Sequence, residues 1–248
     1  MGRTPRVVLT GARGTLDGLA PLLHRAGCEV REYPLLTFGP PVSWAMLDQA
    51  LAQRERLAAI AITSPRAADA LLARVRELGL DPASLPPVWT GLASAARLGA
   101  VLPDVRTAPA SAVAGSLAVQ LAEAMLAARV GSPILFPCGE NHREELVVRL
   151  RAAGRRVDPV VAYRAVLVDE AAAARVLTDG DVVVVTSPRV VELLARVAPT
   201  ALRPALITIG ATTADAAERA GWPPARIAAD PSVGAVFSAI HSLQPSLT

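Results

Sequence analysis

The chain spells Thr-Ser-Pro-Arg twice, at Thr63–Arg66 and Thr186–Arg189, and Leu-Leu-Ala-Arg-Val follows each copy. Ser64 and Ser187 are thus a repeated pair of hydroxyls nearly half the chain apart. A second echo sets Ser94, three residues after Gly91, against Thr213, three residues after Gly210, with Thr212 beside it. Ser-Pro suits the joint between a strand end and a helix, because proline fits the first helical position and the serine oxygen accepts a helix N–H. The same joint at the carboxyl end of a parallel strand presents unpaired backbone N–H groups to anions such as carboxylates. Both readings hold for Ser64 and Ser187, since they are compatible. For Ser94, Thr212 and Thr213, capping is preferred over ligand contact. Tyr163, in "VAYRAV", is the one side chain singled out for chemistry. A phenol donates a proton to a departing hydroxyl without being ionised near neutral pH. Its plain alternative is packing at a half-buried joint.

The other reactive types offer less. His142 follows Asn141 and precedes Glu144, which predicts an exposed residue in the first turn of an N-capped helix. His24 and His241 fall in helical patterns without metal-spaced partners, so no metal site is expected. Cys28 and Cys138 have neither metal spacing nor a disulfide framework, and Cys138 is expected buried at a strand end. Every basic side chain is arginine; the chain has no lysine. That excludes Schiff-base catalysis, pyridoxal phosphate anchoring and the phosphate-loop lysine. A net charge of +3 without arginines interleaved with aromatics argues against a nucleic-acid partner. No apolar run approaches a membrane span, and "MGRTPRVVLTG" lacks the pattern of a signal peptide. The expected setting is the cytoplasm, with no membrane contact.

What must position these residues is a set of short apolar strands alternating with amphipathic helices. The strand candidates are Arg6–Thr10, Val30–Leu36, Ala59–Thr63, Val88–Thr90, Val105–Ala108, Ile134–Pro137, Val157–Tyr163, Val182–Thr186, Ala205–Ile209 and Arg226–Ala229. Continuous apolar strands separated by helices predict parallel sheets covered on both faces, and ten strands fit two five-stranded sheets. "VVLTGARGTLDGLAPLLHRAGCEV" aligns with "ILFPCGENHREELVVRLRAAGRRV", setting Gly27 on Gly154 and Val30 on Val157. The fold class is therefore α/β with a duplicated unit. Extended stretches at 34–41 and 162–170 are the candidate linkers between two lobes.

Taken together, the Thr-Ser-Pro segments, "AYR" at 162–164, "ITIGATTADAAERAG" at 207–221 and "DPSVGAVFSAI" at 230–240 resemble the uroporphyrinogen-III synthase family. The resemblance covers nearly the whole chain, in the family's order and spacing. It implies two similar parallel-sheet α/β lobes joined by a two-stranded linker. The discontinuous first lobe would be 1–37 with 168–248, the second 40–163, and the linker strands 36–41 and 163–168. It also implies a hydro-lyase that uses no cofactor or metal. The small-molecule partner would be hydroxymethylbilane, a linear tetrapyrrole bound between the lobes and closed with its last ring inverted through a spiro intermediate. A monomer is expected, with transient contact to the upstream deaminase. The first strand ends in "TGAR" where many relatives carry Thr-Arg-Pro, and the loop at 137–141 reads "PCGEN" where an arginine often precedes the glycine. Arg13 and Arg143 are the candidates to supply those cations, and Arg13 joins Ser64, Ser94, Ser187, Thr212 and Thr213 as an expected substrate contact.

Two rivals have distinct signatures. "VVLTGARGTLDGLA" with Glu32 vaguely suggests a dinucleotide-binding dehydrogenase, but its glycine spacing is not G-x-G-x-x-G. A short-chain dehydrogenase would also need a Tyr-x-x-x-Lys pair, which a lysine-free chain cannot supply. The second rival is a non-catalytic two-lobed small-ligand-binding protein, whose usual members are exported.

Overall fold

The computed structural model describes residues 4–108 and 116–243. Of the lobes expected from the sequence, residues 1–3, 109–115 and 244–248 lie outside the described residues. The chain opens with β1 (Arg6–Leu9), α1 (Leu19–Arg25), β2 (Glu29–Glu32) and β3 (Leu36–Gly39). It continues through α2 (Ala45–Ala52), β4 (Ala59–Ile62), α3 (Pro65–Glu77), β5 (Val88–Thr90), α4 (Leu92–Gly99) and β6 (Val105–Thr107). Next come α5 (Leu117–Ala127), β7 (Ile134–Gly139), α6 (Glu145–Ala152), β8 (Val157–Leu167) and α7 (Glu170–Asp179). It closes with β9 (Val182–Val185), α8 (Pro188–Val197), β10 (Ala205–Thr208), α9 (Ala211–Arg219), β11 (Arg226–Ile227) and α10 (Val233–His241).

Two compact units result, one built from residues up to Phe38 and from Val166 onward, the other from Gly39–Ala165. The first holds a five-stranded sheet in the order β11-β10-β9-β1-β2, parallel throughout. The other sheet has six strands in the order β3-β8-β7-β4-β5-β6, and its pairs from β8 to β6 are parallel. The class is the parallel α/β read from the sequence, but the division is five and six strands rather than five and five. The difference is the stretch Val30–Leu36, read as one strand. It is two, β2 and β3, interrupted at Tyr33–Leu35 around Pro34, where proline has no N–H to offer a ladder. The strand expected over Val157–Tyr163 also runs on to Leu167.

The duplication is visible in the strand order. Reading β11-β10-β9-β1-β2 against β6-β5-β4-β7-β8 pairs each strand with its echo, and β3 is the addition. The aligned glycines show why the echo is physical. Gly27 and Gly154 have φ of +80° and +74°, each just past a helix end. There Gly27 N–H reaches His24 O at 3.0 Å and Cys28 N–H reaches Leu23 O at 3.0 Å; Gly154 and Arg155 do the same to Arg151 and Leu150, both at 2.9 Å. This is the helix stop that a left-handed residue allows, and a side chain there would be strained.

Both faces of each sheet are buried, as continuous apolar strands require. In β4, Ile60 and Ile62 face one core with Leu71, Val75 and Leu98, while Ala59 and Ala61 face another with Leu121, Met125 and Phe136. In the first unit Val7, Val182, Val184 and Ile207 pack on Leu19, Leu23 and Ile240 of α1 and α10. Burying side chains of this size contributes about 1.5–3 kcal/mol each. These cores hold the carboxyl ends of the central strands in place, and the candidate residues gather there.

Candidate active site

In the second unit the site is built where β4, β7 and β8 end. Ser64 leaves β4 in extended conformation (φ −143°, ψ 146°), and Pro65 opens α3. Its Oγ accepts the N–H of Ala67 at 3.2 Å, so the capping reading of this serine holds. The same oxygen lies 3.3 Å from the Tyr163 hydroxyl. The sequence thus brings its candidate proton donor and one of its paired hydroxyls into hydrogen-bond contact.

Tyr163 reaches Ser64 because β8 carries an extra residue. Cys138 is registered with Val161, but Gly139 with Tyr163, so the pairing slips by one at Ala162. Strict alternation would turn Tyr163 to the face opposite Ala162. The bulge returns it to the core face where Val160 and Ala162 are buried, and Tyr163 packs beside them. A β-bulge that re-aims one side chain is a device seen next to active sites. The Tyr163 ring then lies against Gly139, where a Cβ would sit 2.8 Å from its Cζ and 2.9 Å from its hydroxyl.

Around this pair lies a cavity of about 310 Å³ walled by Ser64, Ser116, Gly139, His142, Arg143 and Tyr163, among others. A larger cavity of about 730 Å³ opens at the amino ends of β7 and β8, beside α2. It gathers glutamines, arginines, apolar groups and one carboxylate, Asp158, whose Oδ2 lies 3.4 Å from Arg156 Nε, and none of the paired hydroxyls or the tyrosine of the sequence motifs. Cys138 also walls the smaller cavity, but it is 3% exposed and its Sγ points at Val160 O. Burial pushes its thiol up to about 12, which keeps it protonated and removes it as a nucleophile.

His142 departs from expectation. It precedes α6, whose N-cap is Glu144, so the predicted cap at Asn141 with Glu144 inside the helix does not form. The imidazole is not on an exposed first turn but folded inward, with 18% of its side chain exposed. Its Nδ1 is 3.2 Å from Gly139 O, its ring meets Phe136 edge-on at 5.6 Å, and its Nε2 is 3.0 Å from Glu144 Oε1. Sequence reasoning missed Gly139 and His142 as part of this wall. A tight turn that hides an imidazole has no periodic signature; "PCGEN" itself was the only local signal.

In the first unit the residues lie at the ends of β1, β9 and β10. Ser187 has nearly the backbone of Ser64 (φ −150°, ψ 138°), but its side chain caps nothing. Ser94 and Thr213, expected as caps, occupy the third position of α4 and α9; the N-caps are Gly91 and Gly210, and neither helix has a side-chain cap. The glycine, not the hydroxyl three residues on, takes the joint, which turns Ser94 (3% exposed) and Thr213 (4%) under the helix. Thr212 is exposed. Among the described residues, the N–H groups of Ala211, Thr212 and Thr213 have no protein acceptor. The hydroxyl of Thr208, buried just before them, also lacks a partner. Arg13 is exposed beside a cleft of about 50 Å³ that Asp17 and Glu32 also line. Within the units described separately, Ser64 and Tyr163 come together, and Ser187, Thr212 and Thr213 lie on neighbouring strand ends.

Among the described residues no three His, Cys, Asp or Glu side chains converge as a metal site, and no helix is long and apolar enough to cross a membrane. Residues 17–238 match the sequence family described as uroporphyrinogen-III synthase HemD. The chain belongs to this family. A uroporphyrinogen-III synthase of Synechococcus elongatus is 29% identical over 166 residues, which span 66% of this chain and 61% of that relative. Two solved structures share the fold. The uroporphyrinogen-III synthetase of Helicobacter pylori 26695 has a TM-score of 0.63 at 16% identity, over 97% of this chain and all of that one. A mutant uroporphyrinogen III synthase of the extremely thermophilic bacterium Thermus thermophilus scores 0.53 at 19% identity, over 98% of this chain and all of that one.

Proposed function

We propose that this chain is a uroporphyrinogen-III synthase, a cofactor-free hydro-lyase of tetrapyrrole (haem) biosynthesis that dehydrates hydroxymethylbilane and closes it with the last ring inverted. The observation that carries the reading is the Tyr163–Ser64 pair on the cavity wall, in a chain matched to that family over residues 17–238. Tyr163 is the catalytic residue in this proposal. Ser64 Oγ already accepts the Ala67 N–H, and its own hydrogen can be donated to the phenol oxygen. The phenol proton is then directed to the leaving hydroxyl. The C–O bond breaks, water departs with that proton, and a cationic azafulvene remains. The terminal pyrrole attacks it through a spiro intermediate, and the proton lost as the ring recovers aromaticity restores the phenol.

The rest of the task is holding the substrate in the inverted orientation, which is positioning. The substrate carries carboxylates on every ring. The open N–H groups of Ala211, Thr212 and Thr213, with the uncapped Ser187 hydroxyl, suit carboxylate oxygens. Arg13, and Arg143 on the cavity wall, supply cations. Ser94, buried with its N–H already on Gly91 O at 3.1 Å, is the weakest member of the set. In this reading 36–41 and 163–168 serve as linker strands between two lobes, and the enzyme works in the cytoplasm as a monomer fed by the upstream deaminase. The test is to generate hydroxymethylbilane in situ with that deaminase, add this protein, and identify the porphyrinogen isomer. The inverted type III ring is expected; type I alone would refute the assignment.

A further inference from the structure

One peptide plane is held from both edges beside Tyr163. The carbonyl of Gly139 and the N–H of Glu140 belong to the same peptide. The carbonyl accepts from the backbone N–H of His142 at 3.0 Å and lies 3.2 Å from His142 Nδ1. A carbonyl oxygen only accepts, so that second bond places the proton on Nδ1. On the other edge, the Glu140 N–H donates to Tyr163 O at 3.1 Å, directly after the register slip. The Gly139 α-carbon closes the arrangement, since a Cβ there would strike the Tyr163 ring. The imidazole is held in its turn by the edge of Phe136.

We infer that His142 and Gly139 are positioning residues for the Tyr163 hydroxyl, acting through the peptide that joins Gly139 to Glu140. His142 fixes the tilt of that plane from its oxygen side, the plane fixes the backbone of Tyr163 at the bulge, and the bare Gly139 leaves the space that the ring occupies. Without the imidazole the plane keeps one of its two donors and can rock, moving the phenol off the line that Ser64 defines. This inference rests on the reading of Tyr163 as the residue that touches substrate.

The test is a double-mutant cycle on the full chain, read as kcat and KM for hydroxymethylbilane, with folding checked by circular dichroism. His142→Ala should lower kcat about threefold to tenfold with KM little changed, the effect of misaligning a group without removing it. His142→Asn, whose amide N–H can replace Nδ1–H, should recover activity to within about twofold of native. In a Tyr163→Phe background His142→Ala should cost nothing further, because the hydroxyl it aims is gone. If His142→Ala does not fold, Gly139→Ala takes its place, and its loss should likewise vanish in the Tyr163→Phe background. Equal losses with and without the hydroxyl would overturn the inference and leave His142 and Gly139 as structural residues. A silent Tyr163→Phe would instead remove the catalytic reading on which the inference depends, and the single variant alone tells the two failures apart.

Discussion

The joints at Thr63–Arg66 and Thr186–Arg189 have the same four residues and nearly the same backbone, yet they end differently. At the first, the serine oxygen is occupied: it caps α3 and meets a phenol delivered by the bulge in β8. At the second, the serine caps nothing. The neighbouring first turn of α9 is open as well, with three N–H groups and a buried threonine hydroxyl unpaired among the described residues. Buried or clustered polar groups without partners cost stability in a protein that has no use for them. In the proposed function this difference divides a duplicated joint between two tasks, one side aiming a proton and the other binding anions.

The largest break in this comparison should come from Tyr163→Phe, which removes the aimed proton and should lower kcat about tenfold to a hundredfold. Ala211→Pro should come next. Proline is tolerated at a first helical position after an extended residue, and Gly210 is extended, so the fold should hold while one donor disappears. KM should rise about tenfold, the weight of one hydrogen bond to a charged group; an unchanged KM would mean that α9 is not where carboxylates dock. Ser64→Ala should cost about 0.5–2 kcal/mol in urea unfolding because it removes a cap. Ser187→Ala should stay within about 0.5 kcal/mol, since there is no cap to lose. Equal destabilisation would erase the contrast between the joints.

The smallest effect concerns Cys138, which occupies the position that Gly11 holds in the first unit. Burial raises its thiol from 9.0 to about 12. The folded state therefore keeps this proton between those values while the unfolded state releases it. Its contribution to stability is intact below pH 9 and is lost as pH rises toward 12. Iodoacetamide at pH 8 should leave Cys138 of the folded protein unlabelled and modify it only in urea, as mass spectrometry would show.

The repeat and the parallel α/β class were legible because they rest on local rules: apolar β-branched runs, a glycine past each helix, and proline at a helix start. Gly27 with Gly154 and Ser64 with Ser187 pair directly in the aligned halves of the sequence. The single strand expected over Val30–Leu36 is broken because Pro34 has no N–H for a ladder, which its apolar neighbours do not offset. Ser94 and Thr213 were expected as caps by analogy with the Ser-Pro joints, but a glycine that precedes a helix can take the cap position without a side chain. The wall formed by Gly139 and His142 left no more than the "PCGEN" loop as a signal in the sequence. It depends on a one-residue slip between β7 and β8, and register is a property of two strands together rather than of either sequence.

The most direct test of the account is to measure initial rate and isomer composition for Tyr163→Phe and Ser187→Ala side by side, each verified as folded. In the proposed function one phenol donates the proton and many donors share the positioning. The expected outcome is a slow Tyr163→Phe enzyme that still forms the inverted ring, and a Ser187→Ala enzyme within about threefold of native. A folded Ser187→Ala protein without activity, beside an unimpaired Tyr163→Phe, would contradict it and move the chemistry to the second Thr-Ser-Pro joint.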